Sequence, residues 1–121
     1  MSEPPLLDRG VFDEMIGLLG DEAGASVIDL FQTEIDGFIA MMRNAAATPG
    51  DRELREQVRR NAHALKSSAG QIGAAALADA ARRVEQAAQD GDPLDAPIAA
   101  LLRCAAATEQ ALASALAGGQ A

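Results

Sequence analysis

His63 is the only histidine in the 121-residue chain, and its neighbours decide what its imidazole can do. On a helix, Arg59 and Arg60 lie one turn before it, Lys66 and Ser67 one turn after it, and Gly70 two turns along. Residues 51 to 66 include five basic and three acidic side chains, so this stretch carries +2 within a chain whose formal net charge is −8. An imidazole set among cations, with residues beside it too small to cover its tip, suits a nucleophile that carries a phosphoryl group. A ring nitrogen attacks phosphorus, and the cations offset charge on the phosphoryl oxygens. Taken singly, each feature has an ordinary explanation: a surface histidine is commonly just solvated, Arg59 and Arg60 can pair with Glu56, and Ser67, Ser68 and Gly70 can be a fraying helix end. Their coincidence gives the reading its weight.

Other chemistries find less support. A hydrolase triad has no evident acid for His63 and no nucleophile elbow, and a single histidine with a single cysteine leaves too few ligands for a standard zinc site. Di-iron bundles use Glu-x-x-His, but Arg60 stands three residues before His63. No phosphate-binding glycine loop is present for the use of ATP, so phosphate would come from a partner and go to a partner. No metal or cofactor of its own is expected.

An outward imidazole requires a helix to carry it. Stepping at about 100° per residue from Leu54, the positions Val58, Ala62, Leu65, Ala69 and Ile72 fall within a sector of about 80°, whereas His63 lies about 180° from Leu54. The first set is the expected buried face and His63 the expected exposed one. Turn and cap residues divide the chain into five helical segments. Asp8 caps a short helix over about residues 9 to 19, and Asp21 caps a long one to about Ala47. Thr48, Pro49, Gly50 and Asp51 form a turn and a cap for a third helix to about Ala69, where Gly70 and Gly73 mark a bend or break. A fourth runs from about Ala74 to Asp90. Gly91, Asp92 and Pro93 read as a stop, a cap and a first helical proline, so the fifth starts near Leu94 and reaches about Leu116.

Four of these helices, each of about 17 to 27 residues with short connectors, favour an all-α fold: an antiparallel four-helix bundle with an additional short N-terminal helix. Val27, Phe31, Ile35, Phe38 and Met42 form the expected buried stripe of the second helix. Leu77, Ala81, Val84 and Ala88 form that of the fourth, and Leu94, Ile98, Leu101, Ala105, Leu112 and Leu116 that of the fifth. Glu109 falls inside the last stripe without a sequence-level reason. The composition agrees: 49% of residues are hydrophobic but only 2% aromatic, and twenty-eight are alanine, which favours closely packed helices over sheet.

The acidic balance argues against a nucleic-acid backbone or an anionic membrane as partner. Cys104, the only cysteine, excludes an intrachain disulfide and is expected to pack rather than react. With no signal-peptide pattern and no long apolar run, a cytoplasmic protein is expected. Nine arginines against one lysine, with the alanine load, suggest a bacterial genome rich in G and C.

The segment HALKSSAGQIGA, residues 63 to 74, followed by Leu77 and by ARRVE ending at Glu85, resembles the histidine-containing phosphotransfer (HPt) domains of two-component phosphorelays. His63 stands where that family is phosphorylated, Lys66 where it has a basic residue, and Gly73 with Ala74 where it has a helix-breaking pair. Ser67 occupies a position that is glycine in many members. The resemblance covers about Leu7 to Leu116 and implies a domain over residues 7–117, with flexible termini at 1–6 and 118–121. It implies that Nε2 of His63 reversibly accepts a phosphoryl group from a receiver-domain aspartate and passes it to another, without ATP binding or autonomous turnover. The implied partners are response-regulator receivers and a hybrid histidine kinase, with Mg²⁺ supplied by the receiver and the carrier expected to be a monomer. Arg59, Arg60, Ser67 and Gly70 are the expected partner contacts. Glu85 stands where members carry Gln or Glu that orients the imidazole; it lies about 80° from Leu77, at the edge of the buried stripe, where it can reach the third helix. A pair with Arg82 on its own helix is the competing assignment. Two other functions compete: the dimerising phosphoacceptor domain of a histidine kinase, where an acidic residue rather than Ala64 would follow the histidine, and an adaptor that binds receivers without transferring phosphate.

Overall fold

A computed structural model describes residues 3–48 and 50–118. Pro49 of the expected turn, and residues 1, 2 and 119–121 of the expected flexible termini, lie outside the described residues. The secondary structure of the described residues is helical throughout: α1 (Arg9–Leu19), α2 (Asp21–Ala47), α3 (Arg52–Ile72), α4 (Ala75–Asp90) and α5 (Asp95–Gly118). Around the core, α2 packs on α3, α3 on α4, α4 on α5 and α5 on α2, while α1 lies against α2 and α3. The α3–α4 pair shares the most extensive contact.

The buried faces follow the period of the helix. On α3 they are Val58, Ala62, Leu65, Ala69 and Ile72, the set expected from the wheel. On α4, Leu77, Ala81 and Val84 are buried, with Ala87 rather than Ala88 completing the row. Alanines occupy much of this seam, and the absence of longer side chains lets two helix backbones approach closely.

Elsewhere the boundaries differ from expectation. α3 runs through Gly70 and ends at Gly73, whose φ of 89° and left-handed conformation close the helix. Gly70 meets the ordinary helical requirement and breaks nothing. Gly73 is fixed by more than its own dihedral angle: a Cβ there would lie 2.7 Å from the carbonyl oxygen of Asp8. The Asp8 N–H donates to the Gly73 carbonyl at 2.7 Å, while the Asp8 side chain caps α1 by accepting from the Val11 N–H. The Ala76 N–H donates to the Pro5 carbonyl, so the segment before α1 is also fastened to the α3–α4 corner.

Asp21 does not cap α2. Gly20 holds that position at φ 89°, and Asp21 stands inside the first turn with Glu22, where carboxylates favour the positive end of the helix dipole. The α2 stripe is centred on Ile28, Phe31, Ile35, Met42 and Ala45, with Val27 and Phe38 only half-buried. α5 begins at Asp95, so Pro93 precedes the helix and Pro97 lies in its first turn, where a missing N–H costs nothing. The α5 stripe passes through Thr108 and Ala115, which leaves Glu109 and Leu116 at its half-buried edge. Arg55 on α3 braces the far end of the bundle by donating to the carbonyl of Asp92 at 2.8 Å.

Candidate functional site

His63 sits on the outward side of α3, and its side chain is 60% exposed. The helix positions it there by burying Ala62 and Leu65, the residues on either side of it in the apolar row. Across the seam Glu85 projects from α4 and is itself buried. Its Oε2 lies 2.7 Å from His63 Nδ1, and its Oε1 accepts from the Lys66 ammonium at 2.8 Å. One carboxylate thus joins the histidine to the lysine one turn later. Arg82, the competing partner for Glu85, donates to Asp79 instead.

The protonation pattern follows from these contacts. The Lys66 ammonium holds the Glu85 carboxyl below the ordinary carboxylate range, against burial, and the bond from His63 lowers it further. An ionised carboxylate only accepts, so Nδ1 carries the proton in this contact. In the neutral ring, Nε2 then holds the free lone pair. Among the described residues Nε2 has no hydrogen-bond partner.

The remaining expected contacts are unevenly engaged. Arg59 is tied to Glu56: its Nε donates to both carboxylate oxygens, at 3.2 and 3.0 Å, and its guanidinium closes on the same group through Nη2. Arg60 is exposed and forms no ion pair among the described residues. Ser67 and Gly70 are exposed, and a Cβ at Gly70 would meet nothing within 4 Å, so the approach along α3 is open. Beyond them, Ser68 and Gln71 border a groove lined by Val27 and Leu30 of α2, and Gln71 also lines one with Val11 and Leu18 of α1. Leu18 in one groove and Leu30 in the other are 80% and 68% exposed.

The sharing of Glu85 between His63 and Lys66 escaped sequence reasoning, which gave the two residues separate tasks. The spacing of Lys66 three residues after His63 carried that signal, because it puts both beside any group reaching over from α4. Cys104 is half-buried, 3.9 Å from the Thr108 hydroxyl, and burial pushes its thiol up, away from the reactive thiolate. No helix among the described residues is long and apolar enough to cross a membrane.

No curated protein and no solved structure matches the chain significantly. A family model does: the Hpt domain, over residues 26–117, a span that takes in nearly all of α2 and the whole of α3 and α4 with the histidine and its carboxylate. With that match covering well over half of the sequence, and a solvent-facing imidazole oriented from the neighbouring helix, the chain belongs to the Hpt domain family.

Proposed function

We propose that this chain is the phosphocarrier of a two-component phosphorelay, an antiparallel four-helix bundle on which His63 reversibly accepts a phosphoryl group from one receiver-domain aspartate and delivers it to another. The observation that carries this reading is the Glu85 carboxylate, held by Lys66 and seated on Nδ1 of an otherwise exposed histidine. With Nδ1 protonated, the Nε2 lone pair attacks phosphorus in line with the acyl-phosphate bond. The N–P bond forms as the P–O bond to the receiver's aspartate breaks, and that electron pair leaves with the aspartate carboxylate. The positive charge left on the ring is offset by Glu85, which keeps the Nδ1 proton in its hydrogen bond. Return transfer retraces the same path, so the carrier needs no base, no nucleotide and no metal of its own; Mg²⁺ belongs to the receiver.

The partner is a folded domain rather than a small phosphodonor. In-line transfer brings the partner's aspartate within a few ångströms of His63, so the surface around the histidine must be covered. Small residues leave that path open, and the two grooves that hold Leu18 and Leu30 both meet α3 at Gln71, about two turns beyond His63 and within the radius of a standard protein interface. A receiver and the hybrid kinase that supplies it fit that description, with the carrier working as a cytoplasmic monomer.

Incubation with a phosphorylated receiver is expected to move the label onto this chain as an acid-labile, base-stable phosphoramidate. His63→Gln is expected to abolish labelling while leaving the circular-dichroism melt nearly unchanged, because an outward side chain contributes little to the core. Persistent labelling of that variant, or loss of its fold, overturns the assignment.

A further inference from the structure

The acceptor face of α3 holds a charge pair that the transfer scheme does not use. Glu56, Arg59 and His63 follow one another along one side of the helix at spacings of three and four. Arg59 is the cation one turn before the nucleophile, and it is occupied: Glu56 receives its Nε through both carboxylate oxygens and its Nη2 as well. That bond holds the Glu56 carboxyl below its ordinary range. Both side chains remain partly open to solvent, 32% for Arg59 and 49% for Glu56, so the pair can exchange partners without unpacking the core. Lys66, on the other side of His63, is occupied too, but by a buried carboxylate that also touches the imidazole.

We infer that Glu56 is a positioning residue that competes with the phosphoryl group on His63 for Arg59, and so sets how strongly the carrier retains phosphate. This rests on the phosphotransfer reading above. When Nε2 gains its phosphoryl group, a dianionic centre appears one turn from a guanidinium whose fork matches phosphate oxygens as well as a carboxylate. Arg59 then divides between Glu56 and the phosphoryl oxygens. Every increment by which Glu56 holds Arg59 is withdrawn from phosphohistidine, which biases the group toward departure to a receiver. A carrier must release what it accepts, and this pair acts on that balance without touching the nucleophile.

The test is the equilibrium between phosphorylated receiver and phosphorylated carrier, followed from both directions at low ionic strength. Glu56→Gln keeps the shape of the side chain but removes its charge. It is expected to raise the equilibrium share of phosphohistidine about two- to five-fold, the range of an exposed ion pair, and the gain is expected to shrink toward nothing in high salt. In an Arg59→Ala background the same substitution is expected to have no effect, a silence that a general change in surface charge would not produce. A labelled wild type whose equilibrium is unmoved by Glu56→Gln, or an equal gain without Arg59, overturns the inference and leaves the phosphotransfer reading standing. A wild type that neither a receiver nor phosphoramidate can label overturns the phosphotransfer reading itself.

Discussion

Two glutamates sit at helix seams in this bundle and experience opposite environments. Glu85 reaches from α4 to α3, where the Lys66 ammonium and the His63 ring meet it and its carboxyl is held below the ordinary range. Glu109 stands on α5 facing α2, and there burial and the neighbouring Asp36 push its carboxyl up. Both are withdrawn from water to some degree. What separates them is the sign of the charge across the seam. A carboxylate opposed by a cation stays ionised at neutral pH and can orient an imidazole; one opposed by another acid is pushed the other way and finds no cation across the seam to hold it. Burial of an acid therefore does not mark a site by itself, whereas burial against a lysine and a histidine does.

The contrast breaks most severely at Glu85. Glu85→Ala leaves Nδ1 without its acceptor and Lys66 without its partner, so the ring loses its fixed tautomer and its aim. Transfer from a receiver is expected to slow by up to about a hundred-fold in rapid-quench measurements, with the helical signal retained. Glu85→Gln is expected to recover part of that loss, since its amide oxygen still accepts from Nδ1. Unchanged rates in both variants would reduce Glu85 to a packing residue.

Lys66→Ala is expected to have a smaller effect. The Glu85 carboxylate keeps the histidine but loses the ammonium that holds it in place, so transfer slows by roughly ten-fold, and more than receiver binding weakens. A change confined to the binding constant would make Lys66 a docking contact.

The smallest effect concerns stability against pH, where the two glutamates act in opposite directions. Glu109 has a raised carboxyl in the folded chain, so the fold binds its proton more tightly than the unfolded chain, and stability rises as pH falls through that value. Glu85 has a lowered carboxyl, so its contribution is complete above the ordinary carboxylate range and is lost as pH falls through its lowered value. Melting temperature is thus expected to rise slightly on mild acidification and to fall on stronger acidification. Glu109→Gln is expected to raise the neutral-pH melting temperature by about 1–3 °C and to erase the first limb while leaving transfer intact. Glu85→Gln is expected to flatten the second limb. A Glu109→Gln profile identical to wild type would show that neither burial nor Asp36 raises its carboxyl in the fold.

Much of this was legible from residue order. The five helices, the inner row of α3 and the outward histidine follow from a period of 3.6 and from cap chemistry at Asp8 and Asp51. The errors arise where another part of the chain decides. Gly70 and Gly73 look alike in sequence, but only Gly73 meets the backbone of Asp8. Val27 and Ile28 both fit spacings of three and four, and the choice between them depends on which neighbours α2 meets. Thr108 looks too polar for a core position and Glu109 too polar for its margin, yet the α5 stripe passes through the threonine and leaves the glutamate half-buried. The Glu56–Arg59 pair was visible because both partners share one helix. The reach of Glu85 to His63 was expected from the resemblance and from its place at the edge of the α4 stripe, but its sharing with Lys66 was not, because that contact crosses between two helices.

The alanines of the α3–α4 seam act as the ruler of the site. Ala62 and Ala69 on one helix and Ala81 on the other are wholly buried, and their methyl groups take the place that bulkier side chains would fill. The bond between Glu85 and His63 spans 2.7 Å, and a hydrogen bond of this kind is lost when it lengthens by roughly one ångström. A bundle can accommodate a displacement of that size through small shifts along its length, keeping its helices and most of its stability. The alignment of the imidazole has no such slack. Fold and relay therefore have different tolerances: a few added methylenes in this seam can leave a well-formed protein whose histidine no longer points where a partner needs it.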